Sequence, residues 1–325
     1  MAMKAIQIQN GDLVWMETEE PSVGPGEVRI ENHATAVNRA DLAQRSGGYP
    51  PPPGASPVLG LECAGVVTAV GEGVTRVAAG DEVCALLAGG GYAETVVVPA
   101  GQVLKKPANL TFEEAASIPE VFATAYLNLY MEARLKKGEY AVIHAGASGV
   151  GTAAIHMCAP FGNPVFVTAG SQDKIDRCIE LGADAGMNRH EGDFTEAVRT
   201  WTDGRGADVI LDPVGGAYLA ANLASLATDG RLVIIGLLGG ARADVALGTM
   251  MVKRLRIIGS TLRARSIAAK ATIMDALKER VWPLLEDGTI RPVIERVYPV
   301  EEAGSAHDLI AGNRTFGKVV LRISA

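Results

Sequence analysis

The sequence predicts an α/β chain. A doubly wound parallel sheet, flanked by helices, is joined to a discontinuous, mostly β domain that forms a partly open barrel. Three observations predict it. The first hundred residues hold short alternating runs punctuated by glycine and proline turns. From Tyr140 onward, apolar strands alternate with helical stretches. The last apolar run, Gly317 to Ile323, reads as a strand again and is expected to return to the first domain. The expected division assigns residues 1–119 and 262–325 to the β domain and 120–261 to the parallel sheet.

The elements follow in order. Lys4-Ala5-Ile6-Gln7-Ile8 alternates, and Glu27-Val28-Arg29-Ile30-Glu31 does so after a Pro-Gly turn. Ala64 to Val70 and Ala93 to Val98 are further strands, with a turn at Gly80-Asp81-Glu82 between them. Prolines 50 to 53 stiffen the loop from Gly47 to Gly54 into an extended form. Near Thr111 the period becomes helical, and Thr111 with Glu114 forms a capping box. Tyr140 to His144, Pro164 to Thr168, Ala207 to Asp212, Gly230 to Gly236 and Leu255 to Gly259 are the strands of the parallel sheet.

The segment Ala145-Gly146-Ala147-Ser148-Gly149-Val150-Gly151 lies between an apolar strand and an Ala-rich helix. That context makes it a dinucleotide pyrophosphate loop at a helix N-terminus. Gly146 is read as permitting the tight turn, Gly149 as leaving room at the turn into the helix, and Gly151 as allowing close packing on the strand; Ser148 replaces the usual second glycine. An NAD site places an acid at the end of the next strand, but here the chain reads Ala169-Gly170-Ser171-Gln172, with Lys174 soon after. The expected cofactor is therefore NADPH, with Gly170 at the site and Ser171 and Lys174 on a 2′-phosphate. A solvated helix lysine is the alternative for Lys174.

Composition limits the function classes. The chain has 325 residues, 48% of them hydrophobic, with 38 glycines and a net charge of −7. The acidic balance argues against nucleic acid as a partner. Cys63, Cys84, Cys158 and Cys178 are scattered without C-x-x-C spacing, as in reduced thiols of a cytoplasmic protein. Neither a signal peptide nor a membrane-spanning run is read in the chain.

The order of parts resembles the medium-chain dehydrogenase/reductase superfamily, and within it the quinone oxidoreductase branch. The segments that carry the resemblance are Val37 to Leu42, Gly60 to Val67, Gly80 to Val83, the 146–151 turn and Leu211 to Gly216. The stretches around Asn38 to Arg45, Tyr49 and Gly54 to Ser56, with His144 to Gly146 and Thr168 to Ser171, look closest to the tumour-suppressor-inducible type. The resemblance implies a Rossmann domain and a GroES-like domain, a homodimer paired through the strand Leu255–Gly259, and a nicotinamide carboxamide held by Ile235, Gly236 and Leu262. In the zinc alcohol dehydrogenases a Cys stands where Asn38 stands, a His where Leu61 stands, and a third ligand falls near Glu120. Asparagine and leucine do not replace thiolate and imidazole on zinc, so no metal is expected.

Two residues are candidates for the chemistry. Asn38 donates to an acceptor carbonyl or to the cofactor, or is a turn asparagine bonded to its own backbone. Tyr49 stacks on an aromatic substrate and donates its hydroxyl, or packs on the surface prolines. Arg189 suits a 2′-phosphate, or is a solvated loop arginine. Asp41, Arg39, Asp212 and His144 read as structural. The expected activity is zinc-independent reduction of a quinone by NADPH, by hydride or by single electrons. The alternative is C=C reduction of an enone or acrylate.

Overall fold

The computed structural model describes residues 2–324. Its strands are β1 (Ala2–Gln9), β2 (Asp12–Glu19), β3 (Glu27–Val37), β4 (Glu62–Val70), β5 (Glu82–Leu86), β6 (Thr95–Pro99), β7 (Val103–Lys105), β8 (Ala141–His144), β9 (Val165–Ala169), β10 (Ala185–Asn188), β11 (Ala207–Asp212), β12 (Leu226–Ile234), β13 (Arg256–Gly259), β14 (Ile294–Pro299) and β15 (Lys318–Arg322). The chain forms two units, Met1–Ala123 with Leu262–Ala325, and Thr124–Thr261.

The second unit is a six-stranded sheet in the order β10-β9-β8-β11-β12-β13, and all its pairings are parallel. Every residue of β8, β9 and β11 is buried, because helices cover both faces of such a sheet. The strand order reverses between β8 and β11, so the loops after them diverge at the carboxyl edge, where open α/β sheets bind ligands. β10 reads Ala-Gly-Met-Asn and has no strand signal of its own; parallel pairing with β9 makes it a strand.

The first unit is mostly antiparallel. Its seven-stranded sheet runs β14-β15-β3-β4-β5-β7, with β6 also paired to β3, and it does not close. The C-terminal β15 pairs antiparallel with β3, Val319 opposite Val37, which is how the last segment rejoins the first. β1 and β2 form a separate hairpin through Asn10 (φ 51°) and Gly11 (φ 90°), a two-residue turn with both central residues left-handed. The capping box at Thr111 forms: its Oγ1 accepts from Glu114 N at 3.2 Å, and Glu114 Oε2 accepts from Thr111 N at 2.9 Å. Among the described residues, no helix is long and apolar enough to cross a membrane.

Candidate active site

In the β unit, charged groups gather inside an otherwise apolar core. Glu62 opens β4 and Lys318 opens β15; both are buried, at 0% and 4% exposure. The Lys318 ammonium lies 2.8 Å from Glu62 Oε1 and donates to Asn38 Oδ1 at 2.7 Å and to the Val37 carbonyl at 3.0 Å. A buried carboxylate requires such a partner, since neither ion has water to solvate it. Asn38 Nδ2 donates to the same Glu62 oxygen at 2.9 Å and to the Ala36 carbonyl at 3.2 Å. Both amide hydrogens of Asn38 are thus committed within the protein. Through these bonds Asn38 bridges Glu62 and Lys318.

Asp41 closes the back of this network. Its Oδ2 accepts from Asn38 N at 2.7 Å and its Oδ1 from Gly60 N at 2.9 Å. Tyr92 hydroxyl donates to Oδ2 at 3.4 Å and lies 3.1 Å from His307 Nε2. Burial raises the Asp41 carboxyl to about 6, although its two backbone donors and Lys318 pull the other way. Burial also holds His307 at about 4, so its ring is neutral at pH 7. Asp41 is structural, as is Arg39, which donates to Ile310 O and to Asn313 Oδ1.

Glu120 sits in the first turn of the helix Pro119–Tyr126. Its N–H donates to Glu62 Oε2 at 2.9 Å, which leaves both Glu62 oxygens satisfied. The Glu120 carboxyl is different: Oε2 is sealed from solvent and has no hydrogen-bond partner. Burial, then the negative charge of Glu62, raises this carboxyl to about 8, with Lys318 opposing. Tyr49 feels the Glu120 charge as well; burial first and Glu120 second raise its phenol. Arg263 holds Tyr49 in place, its guanidinium 5.3 Å from the ring centre and donating to the Tyr49 carbonyl at 3.3 Å. Arg263 is itself fixed by Ala88 O at 2.8 Å and Gln44 Oε1 at 2.6 Å. Sequence reasoning missed Glu62, Arg263 and Lys318. The available signal was a charged residue opening an apolar strand, in both Glu62-Cys63-Ala64-Gly65-Val66-Val67 and Lys318-Val319-Val320-Leu321.

In the sheet unit, the glycine loop leads from β8 into the helix Gly149–Phe161. The left-handed residue is Ala145 (φ 54°) rather than Gly146. Gly146 is required by space instead: a Cβ there would lie 2.8 Å from Val167 Cβ. At Gly151 a Cβ would meet the carbonyl oxygens of Ala145 and Gly146 at 2.5 Å, so only glycine lets the helix start this close to the strand. Ser148 is the N-cap, its Oγ accepting from Gly151 N at 3.0 Å. The amides of Gly149 and Val150 in this first turn have no intrahelical acceptor and carry the positive end of the helix dipole.

β9 ends at Ala169, and Ser171 then caps the helix Gln172–Glu180, its Oγ accepting from Lys174 N at 3.4 Å. The next strand ends beside it: Arg189 N donates to Ala169 O at 2.9 Å, and the exposed Arg189 guanidinium lies 3.6 Å from where a Gly170 Cβ would stand. Gly170, Ser171, Lys174 and Arg189 therefore share one end of the sheet. Ile235 N donates to Asp212 O at 2.8 Å, and a Gly236 Cβ would meet Pro213 O at 2.7 Å, so this segment packs tightly at the carboxyl edge. Leu262, the first residue of the returning segment of the β unit, is buried. Asp212 caps its own turn, accepting from Val214 N at 2.6 Å and Asn222 Nδ2 at 3.0 Å. Asn222 Oδ1 in turn lies 2.7 Å from His144 Nε2, so that nitrogen carries the proton and Nδ1 accepts from Thr168 hydroxyl at 2.9 Å. His144, held at about 4 by burial, is a neutral structural histidine.

Family models match both units: "Alcohol dehydrogenase GroES-like domain" over residues 24–108 and "Zinc-binding dehydrogenase" over 149–279. A 2-haloacrylate reductase of Burkholderia sp is 31% identical over 99% of this chain and 99% of its own. The chain belongs to the medium-chain dehydrogenase/reductase superfamily. It has the α/β fold of that superfamily, a parallel sheet unit and a mostly β unit. A mycocerosic acid synthase-like polyketide synthase of Mycolicibacterium smegmatis is 34% identical over 99% of this chain, which spans only 15% of that protein's length. Among solved structures, a NAD-dependent alcohol dehydrogenase matches with TM-score 0.85 at 33% identity, covering 99% of this chain and 100% of that one. A mycobacterial quinone oxidoreductase matches with TM-score 0.86 at 30% identity and the same coverage. A mycobacterial relative complexed with NADPH matches with TM-score 0.87 at 29% identity, again with that coverage.

Proposed function

We propose that this protein uses NADPH, without zinc, to reduce a conjugated carbonyl acceptor, a quinone first of all. The observation that carries the cofactor choice is the end of β9. No acid stands there, and Gly170, Ser171, Lys174 and the Arg189 guanidinium offer hydroxyl and cationic donors to a 2′-phosphate. The free amides of Gly149 and Val150 at the capped helix suit a pyrophosphate. A bound NADPH supplies hydride; the protein supplies orientation within about 3–3.5 Å and excludes water.

The donors around Asn38 do not fit a catalytic zinc ion. The Lys318 ammonium already neutralises Glu62, the Asn38 amide is fully engaged, and Leu61 offers only buried alkyl surface. Among the described residues no group of three or more His, Cys, Asp or Glu is disposed to hold a metal. Tyr49, held against Arg263, presents ring and hydroxyl to a flat acceptor.

A second reading is C=C reduction of an acrylate or enone. It is favoured by the full-length similarity to a 2-haloacrylate reductase. We also assign a homodimer. β13 forms one edge of its sheet, and Leu247, Met251 and Val252, on the helix that precedes it in sequence, are exposed, at 67%, 77% and 79%. Sedimentation at two concentrations tests that assignment; a monomer at both refutes it.

The function is tested by NADPH consumption in EDTA-treated protein against ortho- and para-quinones, simple enones and acrylates, with NADH as the control. Turnover of quinones alone establishes the first reading. Turnover of acrylates or enones alone replaces it with the second. Loss of activity with EDTA, restored by zinc, refutes the metal-free reading.

A further inference from the structure

We propose that a polar pocket in the β unit binds an aliphatic diamine or polyamine. The proposal is independent of the hydride-transfer reading, and every residue it uses lies in that one unit. The pocket lies beside β3 and has a volume of about 360 Å³, within the range of small-molecule sites. Arg29 and Glu31 stand two apart on β3 and so share a face. Thr95 of β6 lies opposite Glu31, and Thr68 of β4 bonds to Arg29. Glu20, just beyond β2, and Glu94, just before β6, supply two more carboxylates, and Ser324, beyond β15, also lines the pocket.

Charge decides what the pocket can take. Arg29, the cation among its lining residues, is already engaged: its Nη1 lies 3.5 Å from Glu20 Oε1 and its Nε donates to Thr68 Oγ1 at 3.0 Å. Glu31 and Glu94 are not matched in this way. Glu94 Oε2 accepts from a backbone amide, Lys4 N, at 2.6 Å, and among the described residues no ion pair joins either carboxylate to a cation. The two stand on neighbouring segments, since Asn32 N donates to Glu94 O at 2.8 Å and Glu31 directly precedes Asn32. Like charges so placed repel, and a cation between them removes the repulsion. Among the described residues no group of three or more His, Cys, Asp or Glu is disposed to hold a metal. An organic ammonium suits the pocket better, because its N–H groups reach separate acceptors.

An independent observation also points to a ligand. Six buried side-chain nitrogen and oxygen atoms lack a hydrogen-bond partner among the described residues, and two of them, Asn32 Oδ1 and Ser324 Oγ, belong to residues that line this pocket. Asn32 is 1% exposed, and its Nδ2 donates to the Gly91 and Ala93 carbonyls at 2.8 and 2.9 Å, so the amide is fixed with its oxygen spare. Buried polar atoms are satisfied in the great majority of cases, and leaving one bare is costly. A protonated amine has only donors to offer, and what the pocket leaves unpaired is mainly acceptor: two carboxylates, an amide oxygen and hydroxyls. Two ammonium groups joined by an alkyl chain place one charge against Glu31 and one against Glu94.

The test is titration calorimetry of the intact protein at low salt with 1,4-diaminobutane and with spermidine. The controls are 1,4-butanediol, which keeps the chain and removes the charge, and magnesium chloride. Saturable binding of the amines and none of the diol is expected, with affinity falling as salt rises. Glu31→Gln with Glu94→Gln keeps shape and removes both charges, and should weaken the amines by about tenfold or more. No saturable binding of either amine overturns the proposal and leaves the pocket to water. Amine binding that is the same in the double variant also overturns it, because the amine then sits elsewhere. Magnesium binding that displaces the amines overturns the choice of an organic cation. If the double variant does not fold, Glu31→Gln alone decides: a severalfold loss of amine affinity supports the proposal, and an unchanged affinity overturns it.

Discussion

The two units hold their important polar groups in opposite ways. In the sheet unit the groups of the glycine loop lie within a few residues: the Ser148 hydroxyl accepts from Gly151 N, and Gly146 and Gly151 make room for one helix start. In the β unit, Lys318 meets Asn38 across 280 positions and Glu62 meets Asn38 across 24. A local device depends on backbone space and a helix dipole. A long-range device depends on burial, and its members are expensive to lose singly. The local device is therefore expected to be sensitive to added volume, and the long-range device to the loss of one charge.

The largest effect should follow from breaking the long-range device. Lys318→Met leaves the Glu62 carboxylate buried without its cation and should cost about 3–5 kcal/mol in denaturant unfolding. Replacing Lys318 and Glu62 together by Met and Leu should cost clearly less, because the uncompensated charge is gone. Equal losses would show that the pair acts by shape rather than charge.

The local device should break on volume. Gly151→Ala puts a methyl 2.5 Å from two backbone carbonyl oxygens that have no side-chain freedom to yield. The expected cost is about 1–3 kcal/mol in stability, with nucleotide binding lost alongside. Ser148→Ala, which removes a cap, should cost about 1 kcal/mol. Charge should matter at the next strand end: Lys174→Ala should weaken NADPH binding by about 1–3 kcal/mol and leave NADH nearly unchanged, measured by titration calorimetry. Equal losses for both cofactors would remove Lys174 from the phosphate site.

A further effect sharpens the contrast through pH. Glu120 rises from 4.5 to about 8 in the folded protein, so between those values the folded state holds more proton than the unfolded one. Its contribution to stability therefore falls as pH rises through that window. Asp41 acts with the same sign between 3.8 and about 6, and the neutral histidines 144 and 307 act oppositely below 6.5. Subtracting variant from wild type cancels those shared terms. The melting temperature of Glu120→Gln should exceed that of wild type by a margin that grows from pH 5 to pH 8 and then levels off. A margin independent of pH would mean that Glu120 is ionised throughout.

Much of the fold was legible because its signals are local. The runs Ala141–His144, Val165–Ala169 and Ala207–Asp212 are uniformly apolar, and a sheet covered on both faces demands that. The glycine loop was legible because its neighbours were a strand and a helix, even though Ala145 rather than Gly146 takes the left-handed turn. β10 and β7 were not legible, since Ala-Gly-Met-Asn and a three-residue run become strands only by pairing with a neighbour already in place.

By itself, then, the sequence determined the α/β class, the return of the last strand to the first unit, the glycine turn between strand and helix, and the absence of an acid at the end of β9. Each follows from residue spacing over short distances, where backbone geometry leaves few choices. Only the tertiary structure decided which polar residues share a buried space. It joined Asn38 to Glu62 and Lys318, and it left Glu120 Oε2 without a hydrogen-bond partner. The physical reason is that desolvation and charge pairing depend on which groups end up adjacent in the fold, and spacing along the chain does not encode that adjacency.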